Sequence, residues 1–128
     1  MTIAFNQLLF IAAGGALGAV FRFLVSNGVH SFMSRGFPYG TLTVNVIGSF
    51  VMGISYVMLI ERLNVSAEWR AFIIVGLLGA FTTFSTFSIE TLELIQSNEL
   101  SKAMLNVLLS VILCIVGSWL GLILGRQL

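Results

Sequence analysis

The chain has 128 residues, a formal net charge of +1, 58% hydrophobic residues, only 9% charged residues and a mean hydropathy of +1.06. Soluble domains carry about 25% charged residues, so this deficit excludes a soluble globular protein, and no basic patch is present to bind nucleic acid. The one cysteine, Cys114, excludes an internal disulfide, and the length predicts a single domain over residues 1–128.

A bilayer core roughly 30 Å thick is crossed by about 20 apolar residues of helix. Charge-free stretches at 1–21, 36–60, 71–89 and 103–125 meet that length or fall just short of it. They predict an all-α membrane protein with four transmembrane helices near 5–29, 39–60, 69–95 and 103–124. The first stretch has no Lys or Arg before it and runs past signal-peptide length, so it is expected to stay as a helix. It carries Gly14 and Gly18, spaced for close helix packing. Arg22 lies near its end, and His30 is expected in a solvated loop after it.

Helix two places Thr41, Asn45 and Ser49 on one face by their four-residue spacing. An amide left unpaired in hydrocarbon costs several kcal/mol. Asn45 is therefore expected to face protein or an aqueous vestibule; a plain helix–helix hydrogen bond is the simpler alternative. Ser49 and Gly53 form a second small-residue pair.

Helix three contains Thr82-Thr83-Phe84-Ser85-Thr86-Phe87-Ser88, an array that a plain lipid-facing helix has no use for. Gly76 and Gly79 precede it and each lowers helix stability by about 1 kcal/mol relative to alanine. Threonine and serine hydroxyls can satisfy backbone groups released by a break. The pattern predicts an interruption around residues 79–83, against a continuous helix with back-bonded hydroxyls. Interrupted helices offer carbonyls to a cation and amides to an anion. Phe84 and Phe87 share a helical face, and the positive edge of an aromatic ring can support an anion without trapping it. The alternative is that both rings simply face lipid or pack.

Helix four repeats a polar stripe with Asn106, Ser110, Cys114 and Ser118, and continues the small-residue spacing with Gly117, Gly121 and Gly125. The glycines read first as packing faces. Helices packed so closely leave no lumen inside one subunit, so a permeation route is expected between subunits. Four spans place Arg62, Arg70 and Arg126 on one side, and Arg35 and Lys102 on the other, with Arg22 as a third if counted. The positive-inside rule needs a clear excess. None exists, which predicts insertion both ways up and permits an antiparallel homodimer; a single orientation set by weak bias is the alternative.

Three segments together, GGALGAVFRF at 14–23, GTLTVNVIGSF at 40–50 and GAFTTFSTFS at 79–88, resemble the Fluc (CrcB) family of fluoride channels. The resemblance covers the first three helices in order, and the fourth agrees in length and polarity. It implies a small bacterial inner-membrane protein that forms a dual-topology antiparallel homodimer with two fluoride pores. By position, Asn45 resembles the family's pore asparagine, and Phe84 and Phe87 resemble the phenylalanines whose edges line the pore. Ser110 matches a hydroxyl of the polar track, and Thr41 is placed in the pore lining by the same resemblance. Gly79 and Thr82 fall where family members offer carbonyls to a structural sodium ion on the dimer axis. Arg22 matches the family arginine, with a structural or vestibule role, and Glu90 is expected to be a vestibule or interhelical hydrogen-bonding residue rather than a proton carrier. Asn106 and Cys114 depart from the tyrosine and serine found in some members. The implied activity is passive export of fluoride that enters the cell as neutral hydrogen fluoride and dissociates there.

A small proton-coupled multidrug exporter has the same size and helix count. It needs a carboxylate within the membrane, and Glu90 and Glu93 near the end of helix three are the only candidates, since the chain contains no aspartate. A non-transporting adaptor with glycine docking faces leaves the polar stripes unexplained. An enzyme is not expected, because His30 has no carboxylate or cysteine beside it in the sequence.

Overall fold

A computed structural model describes residues 2–128. Four helices long and apolar enough to cross a membrane follow one another: α1 (Phe5–Phe32), α2 (Tyr39–Arg62), α3 (Ala67–Gln96) and α4 (Leu100–Gln127). Each expected span is present, its ends displaced by no more than about one helical turn, and no strand occurs among the described residues. In a bilayer the backbone must satisfy its own hydrogen bonds, so apolar stretches of this length have no other stable form than helix. The chain is a multi-pass membrane protein.

Local chemistry sets the helix ends. Ser66 caps α3, its hydroxyl accepting the Trp69 N–H at 3.5 Å, with Glu68 in the first turn to complement the helix dipole. The far end of α3 closes on Asn98, whose φ of 58° is left-handed. Its N–H donates to the Ile95 carbonyl and that of Glu99 to the Leu94 carbonyl, which satisfies two of the last free carbonyls. Asparagine tolerates this conformation better than most side chains. α2 widens over Val57–Arg62, and α3 over Ala71–Leu78, into turns bonded five residues apart. Periodicity at 3.6 residues gives no sign of these two stretches.

The glycines pair the helices. α1 lies on the first half of α3, because Gly14, Gly18 and Gly76 bring the two backbones together. A methyl added at Gly14 would strike the Phe72 carbonyl, and one at Gly18 the Leu77 carbonyl. α2 lies on α4 in the same way: a methyl on Gly53 meets the Ser118 carbonyl, and one on Gly121 meets that of Phe50. The obstacles are main chain and cannot rotate aside. Gly121→Val is therefore expected to separate α2 from α4 and lose the folded protein, read as aggregation on size-exclusion chromatography in detergent. A monodisperse valine variant would show that this contact does not hold the pair.

α3 is broken, as the hydroxyl-rich sequence predicted, but the break does not fall on the glycine. Gly79 is helical, with φ −61° and ψ −37°. The extended residues are Thr82 (φ −90°, ψ 157°) and Thr83 (φ −151°, ψ 117°). Thr82 completes the first half, its N–H and its hydroxyl both donating to the Leu78 carbonyl. Thr83 starts the second half, Phe84–Gln96, as its N-cap, accepting the Thr86 N–H at 3.2 Å. Two adjacent threonines thus end one helix and begin the next.

His30 is not the solvated loop residue expected. It lies in the last turn of α1, half-buried, and its Nε2 accepts the Gly40 N–H at 3.2 Å. That bond ties the end of α1 to the start of α2.

Candidate ion-conducting site

The two polar stripes and the α3 break meet in one open cleft of about 390 Å³. α2 contributes Asn45 and Ser49, α4 contributes Ser110, Cys114 and Ser118, and α3 contributes Thr82, Thr83, Phe84 and Phe87. No charged side chain lines it. The cleft therefore offers only weak dipoles: amide, hydroxyl, thiol and ring edge. An ion entering it would meet partners that hold it lightly.

Asn45 is engaged at both ends of its amide. Its Oδ1 accepts the Thr83 N–H at 2.8 Å, and its Nδ2 donates to the Thr83 carbonyl at 3.0 Å. In a continuous helix the Thr83 N–H would bond to the Gly79 carbonyl; here Asn45 takes it, and α2 braces the break in α3. One Nδ2 hydrogen remains for another acceptor. Both readings of Asn45 thus have a physical basis in one side chain, a helix–helix bond and a free donor at the cleft.

Phe84 and Phe87 face each other with ring centroids 5.4 Å apart and planes tilted by 48°. The spacing of three residues gives that pairing directly. Phe84 is 78% exposed in the isolated chain, comparable with Phe5 (71%) and Phe23 (67%) on its apolar surface. One wall of the cleft is open.

Thr41 lies elsewhere. It borders a hollow of about 290 Å³ together with Arg22, Ser26, Asn27, Thr83 and Thr86. It also borders a wider mouth of about 470 Å³ whose charged and titratable lining includes His30, Arg35, Glu90 and Glu93. The Thr41 hydroxyl donates to Glu90 Oε1 at 2.5 Å. Arg22 enters no ion pair among the described residues. Thr83 borders both the cleft and the hollow, so the three spaces form a sequence from a charged mouth to an uncharged cleft.

Gly79 stands outside the cleft on an exposed face of α3. Its carbonyl has lost the Thr83 N–H, which is a physical reason for an oxygen there to seek another partner. Among the described residues no group of three His, Cys, Asp or Glu is placed to hold a metal. The donors at the break are carbonyl and hydroxyl oxygens, which suit a hard cation rather than a soft one. The residues at the break are thus compatible with sodium.

Asn106 was visible in the sequence as part of the α4 stripe, yet it does not line the cleft. Thr83 was visible only as one of several hydroxyls; a threonine is a common helix cap, but nothing local in the sequence marked it as the partner of Asn45.

Four helices of membrane length, a break midway along α3 and a polar cleft without charge define a small multi-pass helical membrane protein. A family model described as "CrcB-like protein, Camphor Resistance (CrcB)" matches residues 9–122, and the chain belongs to that family. A relative from Methylococcus capsulatus named "Fluoride-specific ion channel FluC" is 56% identical over 95% of this chain, which spans 54% of that relative's length. Relatives of the same name from Magnetococcus marinus (51% identical, 94% of this chain and 98% of that one) and Shewanella amazonensis (57%, 91% and 93%) match almost end to end. The name describes a channel, not an enzyme.

Proposed function

We propose that this protein is a passive, fluoride-selective channel of the bacterial inner membrane, exporting cytoplasmic fluoride. The observation that carries this reading is the uncharged cleft in which Asn45, the capped break of α3, the Phe84–Phe87 pair and Ser110 converge. A fixed cation there would bind a small anion too tightly to release it; weak donors and ring edges favour passage. Family membership and the relatives' names support the same ion.

The working unit in this reading is an antiparallel homodimer with two pores. Its support is the open wall of the cleft, the exposed Phe84 ring and the near-even Lys/Arg balance, three against two, between the two sides. A second, inverted copy covers the Phe84 face and completes the passage. The remaining apolar surface meets lipid. Arg22, beside the cleft but outside it, draws anions towards the hollow without retaining them in the narrow part. A sodium ion, when bound, supplies charge neutralisation where broken third helices meet, held by the carbonyls of Gly79 and Thr82.

A proton-coupled exporter is disfavoured because the cleft holds no carboxylate and Glu90 is engaged by Thr41. The test is a fluoride electrode reading of potassium-fluoride-loaded liposomes made conductive to potassium. Rapid efflux of fluoride, with chloride-loaded vesicles retaining their content, is the expected result. Chloride leaving as fast as fluoride would overturn the assignment.

A further inference from the structure

The second half of α3 carries both phenylalanines yet contains no buried residue. Apolar packing within the chain does little to hold it in place. Four hydrogen bonds across helices do: Thr41 to Glu90 and a pair between Asn45 and Thr83 from α2, and Asn106 Nδ2 to Thr91 Oγ1 at 2.9 Å from α4. The first three involve groups that border the cleft or hollows. Asn106 borders none of these spaces and is 1% exposed.

The hydrogens around Asn106 have one consistent assignment. The Thr91 hydroxyl gives its only hydrogen to the Phe87 carbonyl at 2.7 Å, so towards Asn106 it can only accept. The Asn106 amide must then turn its nitrogen to Thr91 and its oxygen to Ser110, whose hydroxyl reaches it at 3.5 Å. A relay results: Ser110 to Asn106, Asn106 to Thr91, Thr91 to Phe87. The two inner bonds are of ordinary length and the outer one sits at the limit of a hydrogen bond. The Ser110 hydrogen is thus aligned yet lightly held, and it can swing to an anion in the cleft at small cost.

We propose that Asn106 is a positioning residue for anion passage: through Thr91 it fixes the Phe87 backbone against α4, and it keeps the Ser110 hydroxyl ready to donate, without touching the ion. This rests on the channel reading above.

The experiment measures fluoride flux against fluoride concentration in liposomes for the wild type, Asn106→Leu, Thr91→Val and the double variant. A displaced site raises the half-saturating fluoride concentration about tenfold in each single variant, equivalent to one hydrogen bond of ordinary net worth. The double variant should fall clearly short of the sum of the two single effects, because the Asn106–Thr91 bond they share is lost only once. Thr91→Val keeps the side chain's shape at a half-buried position, so it carries the test alone where Asn106→Leu fails to assemble. Reduced maximal flux with unchanged half-saturation marks a merely structural role and overturns the proposal. So do additive effects in the double variant, or wild-type behaviour in Thr91→Val. A wild type that passes no fluoride overturns the channel reading itself and this inference with it.

Discussion

Asn45→Asp is expected to lower fluoride flux at least ~100-fold, about 2.7 kcal/mol of added barrier. Two effects act together. Aspartate can still accept the Thr83 N–H at 2.8 Å, but it cannot donate to the Thr83 carbonyl, and a carboxylate oxygen would then face a carbonyl oxygen across a 3.0 Å gap. It also puts a negative charge into a cleft that has none. At an effective dielectric of about 20, two unit charges 4 Å apart repel by about 4 kcal/mol, more than enough to close the passage to an anion. Electrode-monitored efflux from liposomes checks this, beside size-exclusion chromatography to confirm assembly. An assembled aspartate variant that conducts like wild type would place Asn45 outside the conduction path.

The second large effect is expected from Phe84→Ile: flux reduced at least ~10-fold, a barrier increase of about 1.4 kcal/mol or more, with assembly retained. Isoleucine keeps most of the apolar bulk but has no ring edge to present to an anion. Phe84 contacts Phe87 at 5.4 Å and is otherwise 78% exposed in the isolated chain, so its removal costs the fold of the chain little. Loss of flux would then report on the ring itself rather than on unfolding. The same efflux assay decides it, and unchanged flux would mean that Phe84 serves packing or lipid contact only.

Much of the fold was legible because bilayer thickness and the absence of charge leave few alternatives: apolar runs of this length become helices. The break in α3 was legible as a window, residues 79–83, but not to the residue. Gly79 lowers helix propensity by about 1 kcal/mol, which tertiary contacts override. A pair of threonines that can end one helix and cap the next offers replacement bonds, and the chain breaks there. Which helices pair was not legible, since a Gly-x-x-x-Gly face announces close approach without naming its partner; Gly14 and Gly18 met α3, while Gly121 met α2.

The site divided along similar lines. Asn45, Phe84, Phe87, Ser110 and Thr82 converge in one cleft, whereas Thr41 and Arg22 border the neighbouring hollow and Gly79 lies on an exposed face. Each step of four residues also advances about 6 Å along the helix axis. Thr41 and Asn106 lie one step beyond Asn45 and Ser110, past the end of the cleft. The widened turns over Val57–Arg62 and Ala71–Leu78 had no sequence signal of their own.

The most direct measurement is the reversal potential of the purified protein in a planar bilayer under a tenfold fluoride gradient, with chloride and pH equal on both sides. A passive fluoride-specific conductor reverses near the fluoride equilibrium potential, about 59 mV for a monovalent ion, and stays there when a proton gradient is imposed. Reversal near zero, or a potential that follows the proton gradient, would contradict the account.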